Sequence, residues 1–378
     1  MTGPLAGPAV DVERRAALNG AKLSALVAGR WGAADRRRGA LGATATLVDV
    51  APAPSGGTES AVDPPSGGAP GGLSGWVMPD GDAARALGPA LVWAERQGVT
   101  DLHLLADAGP EDAGVLARQA VLFADAPGVW AVEGTALVPA EPAPPPARAD
   151  APAPPDLVDL LIDAGLEIVV EGGMVRGEVN GLEVARIVHG TTTAGEPVDA
   201  PQLEVGVGKA DRELTAMVHS GLPAVEQLAR VVAIVREHRR PGASRHPLNQ
   251  LVPDRWLRAV LCRAPGLVGV AALRPAEGAR PRANLSERGV ALAVGEDAAG
   301  DPVVVACSVG IALDLVPTAA DGRAAVDAAG GLHADTPPSR LLLAVPERDD
   351  HPGTRRLAAR LRTPADLVPV PGDWRAAG

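Results

Sequence analysis

The chain of 378 residues contains no tyrosine and a single phenylalanine, Phe123. Its interior volume must therefore come from leucine, valine and alanine, which predicts thin layers in close approach. Against that background the six tryptophans read as core anchors. Lysine is almost as scarce: Lys22 and Lys209 stand alone among 35 basic residues, the other 33 being arginine. With the abundant Ala, Gly and Pro, this bias looks like GC-rich coding, and a lysine retained against it suggests a place that needs a compact ammonium. Cysteine is limited to Cys262 and Cys307, too few for a disulfide framework and without metal-ligand spacing. Both lie in apolar runs, AVLCRAP and VVVACSVG, as small buried hydrophobes do. No apolar stretch approaches the ~20 residues of a membrane span, and MTGPLAGPAVDVERR lacks the basic and apolar regions of a secretory signal. A cytoplasmic protein is the expectation.

What is present supports packed cores: 46% of residues are apolar and 21% charged, outside the disordered range. The length suits two or three domains. A net charge of −11 disfavours a general nucleic-acid coat or a membrane-surface binder. The average hides a basic window, however. Between Arg230 and Arg288 twelve arginines face four acids, a net of +8. Such a face could hold a phosphate backbone, with Arg236, Arg239, Arg240 and Arg245 as the candidate nucleic-acid-binding residues. The alternative is a solvated helix face with inter-domain ion pairs.

Residues 51–72, rich in Pro, Gly and Ser, read as a mobile loop in a first domain of 1–138. The Pro/Ala stretch 139–155 reads as a semi-rigid linker. A middle domain over 156–240 and a last domain over 241–378 follow, with a softer boundary at 240–248. In the first domain helices are expected over 11–29, 82–97 and 111–124, with strands at 43–50, 75–78, 101–106 and 129–133. The last domain repeats that order: helices at 254–263, 317–329 and 352–362, strands at 289–295, 302–309, 340–345 and 366–370. The segments beginning DLHLLADAG and RLLLAVPER share a strand, acidic loop, helix, strand plan, which suggests an internal duplication. Apolar strands alternating with helices imply an α/β fold of several small mixed sheets, covered on both faces.

The middle segment differs. A helix at 156–164 precedes strands at 166–171, 174–188 and 203–207, with Gly172-Gly173 as a hairpin turn. A long helix over 211–239, kinked or broken at Pro223, closes it. Acids fall inside these apolar strands: Glu183 lies out of phase with Leu182 and Val184, and Glu204 sits between Leu203 and Val205. Two carboxylates on neighbouring strands, followed by Lys209, are what a divalent-metal hydrolase needs, because hard oxygens bind Mg²⁺ and an ammonium steadies developing negative charge. The segment resembles the restriction-endonuclease-like PD-(D/E)XK superfamily, whose core carries an acid on its second strand and a (D/E)-x-K triplet on its third. The resemblance implies a metal-dependent nuclease acting on phosphodiesters, with Glu183 and Glu204 on Mg²⁺ and Lys209 near the scissile phosphate. Gly206 stands where that triplet has its lysine. The alternatives are that Glu183 and Glu204 pair with Arg176 or Arg186 across a hairpin, and that the chain is a non-catalytic interaction or scaffold protein built from degenerate copies of the domain.

Overall fold

The computed structural model describes residues 8–41, 43–50, 72–107, 109–192, 195, 197–218, 223–280, 282, 284–330 and 337–377. The 51–71 part of the expected loop lies outside them. The chain divides into two compact units, one running to Pro144 and taking in Arg360–Arg362, the other formed by the remainder. Among the described residues there are three sheets, and no helix is long and apolar enough to cross a membrane. The chain is an α/β protein of several small sheets.

In the first unit α1 (Pro8–Trp31) precedes β1 (Arg36–Leu41), β2 (Thr44–Asp49) and β3 (Leu73–Met78), after which α2 (Leu87–Gln97), β4 (Val99–Ala106), α3 (Pro110–Ala120), β5 (Gly128–Glu133) and β6 (Ala136–Pro139) complete one six-stranded sheet in sequence order. β1, β2 and β3 pair antiparallel, β3, β4 and β5 parallel, and β6 returns antiparallel. Leu23, Leu26 and Val27 of α1 pack with Ala45, Leu47, Trp76, Met78 and Leu105 on one face. Gly75 keeps the opposite face open to Trp93 of α2, since a Cβ there would meet the indole at 3.1 Å.

The second unit holds two sheets. α4 (Pro155–Asp163) leads into β7 (Glu167–Glu171), β8 (Met174–Val179), β9 (Leu182–Thr191) and β10 (Pro197–Val205), an antiparallel meander followed by α5 (Gly208–Val218) and α6 (Ala224–His238). Then come α7 (Pro253–Arg263), β11 (Ala272–Ala276), β12 (Ala291–Glu296), β13 (Pro302–Cys307), α8 (Leu315–Ala329), β14 (Arg340–Pro346), α9 (Pro352–Ala359) and β15 (Asp366–Val370). β11, β12 and β13 pair antiparallel and β13, β14 and β15 parallel. The sequence of helices and pairing senses repeats that of α1 to β5. Packing repeats as well: α7 covers one face through Trp256, Leu257, Val260 and Leu261, while Gly322 of α8 abuts Leu292 on the other.

Three strands escape the sequence reading, and all are sheet edges: β1, β6 and β11. An edge strand needs no continuous apolar run, and charge there discourages pairing with another chain; β1 reads RRRGAL and is largely exposed. The single strand expected at 174–188 is two, because Asn180 (φ 48°) and Gly181 (φ 75°) form a two-residue hairpin turn. Both central residues have positive φ, the conformation that Asn-Gly favours. The long helix expected over 211–239 is likewise two, α5 ending at Val218 and α6 starting after Pro223.

Gly181 has a second reason to lack a side chain, since a Cβ would lie 2.3 Å from the Arg255 carbonyl. Gly181→Ala combines left-handed strain with overpacking and is expected to cost about 3 kcal/mol. Gly29→Ala, in α1 with open space around it, is expected to gain roughly 0.5–1 kcal/mol. Denaturant unfolding of the two variants checks both signs.

Candidate functional site

The meander β7 to β10 has one apolar face and one charged face. Leu182, Val184, Ile187 and Val205 pack with Leu161 of α4 and with Leu228, Val232 and Val235 of α6. On the charged side the β8/β9 register shifts by one, pairing Gly177 with Ala185 but Glu178 with Glu183. The extra residue on β9 is a bulge, and it resets the alternation so that Glu183 and Arg186 point the same way.

The result is an alternating row of charges. Glu178, with no exposed surface, accepts from Arg255 Nη1 at 3.1 Å and Arg258 Nη2 at 2.7 Å. Arg255 also donates to Glu171 at 2.7 Å, and Glu171 lies 3.6 Å from Arg176. Arg176 donates to Glu183 Oε2 at 2.6 Å, and Arg212 donates to Glu183 Oε1 at 2.9 Å. Arg212 approaches Glu204 at 3.8 Å, and Arg186 donates to the same Glu204 oxygen at 3.0 Å. Five arginines and four glutamates thus form one connected row. A further pair, Arg263 with Glu167, extends the charged layer.

Burial and the neighbouring charges oppose each other along the row. Burial would raise the Glu178 carboxyl, but Arg258 and Arg255 outweigh it and hold the group below its ordinary value. Burial likewise depresses Arg212, with Glu183 opposing. Burial would also depress Arg255, yet Glu178 and Glu171 leave it above the usual arginine range. Asp254 is raised by burial against the pull of Arg282.

Glu183 and Glu204 share one cation, Arg212. Lys209 is not brought to them: it sits on the first turn of α5, 72% exposed and 3.7 Å from Glu213. Among the described residues no three His, Cys, Asp or Glu gather as a metal cluster. The basic window also resolves into separate places. Arg239 is fully buried, lies 4.6 Å over the Trp256 ring and donates to the carbonyls of Asn180, Leu248 and Leu251. Burial lowers it to about 10. It is an internal tie, which corrects its place on a nucleic-acid face. Arg236 caps the end of α4 through Ala164 O and Gly165 O. Arg240 and Arg245 are exposed, and the Arg240 side chain donates to Glu237 O.

Sequence reasoning gave Arg255, Arg258, Glu171 and Glu178 no part in the site. A usable signal existed: in DRWLRAVLCR the arginines at 255 and 258 share a helix face, and GEVNG marks Glu178 as preceding a tight turn. The geometry defines a charged, arginine-neutralised sheet face in an α/β scaffold. Comparison with protein-family models, curated proteins and solved structures finds no match.

Glu178→Gln leaves two buried guanidinia short of a counter-charge, and a loss of about 3 kcal/mol is expected. Because the folded Glu178 carboxyl titrates below its ordinary 4.5, its contribution is complete above that value and fades as pH falls through the folded one. The variant's stability should accordingly fall less steeply than the parent's below pH 4.5, as measured by denaturant unfolding across the acid range.

Proposed function

We propose that the chain is a non-catalytic interaction protein of the cytoplasm, its degenerate α/β domains serving as a scaffold. One observation carries this reading: both oxygens of Glu183 are held by guanidinia, at 2.6 Å from Arg176 and 2.9 Å from Arg212. A divalent cation at Glu183 and Glu204 would compete with Arg176, Arg186 and Arg212, three charges already occupying that space, and would leave them uncompensated. Lys209, the third member of the hydrolase reading, is turned to solvent.

Both cysteines are unpaired, in keeping with a reducing compartment. Burial pushes the Cys262 thiol up to about 11 and raises Cys307 as well, so neither offers a ready thiolate for nucleophilic chemistry. Tied arginines also weaken the case for a phosphate-binding face, since Arg236 and Arg239 already serve backbone carbonyls.

Titration with Mg²⁺ or Mn²⁺ separates this reading from a metal-dependent nuclease. The expected outcome is an unchanged unfolding midpoint, with intact single- and double-stranded DNA after incubation. A metal-dependent gain of about 2.7 kcal/mol at a hundredfold excess over Kd, lost in Glu204→Ala, would overturn it, as would cleavage abolished by Glu183→Ala.

A further inference from the structure

The strongest unassigned feature lies on the side of the meander away from the charged row. α4 and α6 leave between them an open groove of about 580 Å³. Its floor and one wall are Val225, Leu228, Ala229, Val232 and Ala233 of α6, spaced as the i, i+3, i+4, i+7, i+8 stripe of a helix seam. The opposite wall is α4, which presents Asp156, Asp159, Leu160 and Asp163 at the same helical spacing. Two seams facing one gap form two sides of a three-helix arrangement, and the shape that completes both is a third helix.

Side-chain size and charge narrow the occupant. Ala229 and Ala233 are exposed and end at Cβ, so an incoming helix can approach closely along that line. Asp156, Asp159 and Asp163 are exposed along the α4 rim and form no ion pair among the described residues. At the groove's end Arg236, tied to Ala164 O and Gly165 O, is one cation against three aspartates, so the rim keeps a net negative charge. Val225 is 57% exposed at the groove, an apolar surface left open to a partner. Acid along one wall disfavours a second copy of this chain seated by two-fold symmetry, because aspartates would then meet aspartates.

We infer that this groove receives an amphipathic helix from a protein partner, inserting an apolar stripe between α4 and α6 and placing lysine or arginine along the flank facing Asp156, Asp159 and Asp163. The inference rests on the interaction-protein reading and names its docking face. α4 is nine residues long, so the matched length is two to three helical turns, about 14 Å.

The test is fluorescence anisotropy of the full chain with two labelled helical peptides. Both carry leucine at heptad a and d positions; one has lysines along a flank and the other glutamates. The lysine peptide should bind at least about tenfold more tightly, with the preference shrinking as salt is raised. Asp156→Lys/Asp159→Lys/Asp163→Lys should reverse the preference. Ala229→Gln, at an exposed site that tolerates the longer side chain, should weaken both peptides at least about tenfold, with circular dichroism confirming the fold. Equal binding of the two peptides, or insensitivity to the rim reversal or to Ala229→Gln, would sink the inference. So would a concentration-dependent dimer dispersed by Ala229→Gln, which assigns the groove to a second copy. Such failures leave the non-catalytic reading standing on its metal titration. Metal-dependent cleavage would remove that reading without touching the peptide result.

Discussion

A glutamate with no surface in contact with solvent needs a counter-charge in the same enclosed space, and Glu178 takes two, Arg255 and Arg258. That requirement explains much of the second unit. It makes α7 buried on nearly every side, from Asp254 to Leu261, because one flank faces the last sheet through Trp256 and Val260 while the other supplies guanidinia to the meander. It also explains why the Asn180-Gly181 turn fits so closely against the start of α7. Arg239 closes the assembly from behind, gripping Asn180 O and the Leu248 and Leu251 carbonyls while its plane covers Trp256. Arginine suits these roles as lysine would not, since a planar fork can serve two acceptors and stack at once.

The two repeated sheets use their first helix in different ways. In the first unit α1 offers Leu23, Leu26 and Val27 to its sheet, and Leu18 on the same helix is 63% exposed. Its counterpart α7 is buried from Asp254 to Leu261 between the last sheet and the charged row. One topology thus serves once as an ordinary covered sheet and once as the support for a second sheet beside it. The aromatic shortage is met in the same economical way: Trp31, Trp76 and Trp130 gather around His103, and Trp256 meets Trp374 edge-on.

The central strands and most helices are legible in the sequence because their apolar periods are continuous. The strand over 366–370 has the expected limits, and Pro223 separates two helices. Three of the edges, β1, β6 and β11, are not legible, since they bury little and carry no continuous apolar run. Adjacent strands carry Glu183 and Glu204 to one shared cation, but the sequence does not identify that cation. Summing charge over 230–288 ignored where the acids lie. Glu167, Glu171 and Glu178 fall outside that window, yet they pair with Arg255, Arg258 and Arg263 inside it. The bulge at β9 is equally silent in one dimension, because it exists only in the register between two strands.

The alternating row has a consequence for how such a chain can drift. Each interior member serves two neighbours, so changing Arg176 alone takes one of two guanidinium partners from Glu171 and from Glu183 together, leaving them Arg255 and Arg212. Tolerated replacements must then arrive in compensating sets, charge traded for charge or several members turned apolar at once. Any diverged cousin of this chain should carry correlated exchanges along the row, while the groove side of the same sheet varies residue by residue.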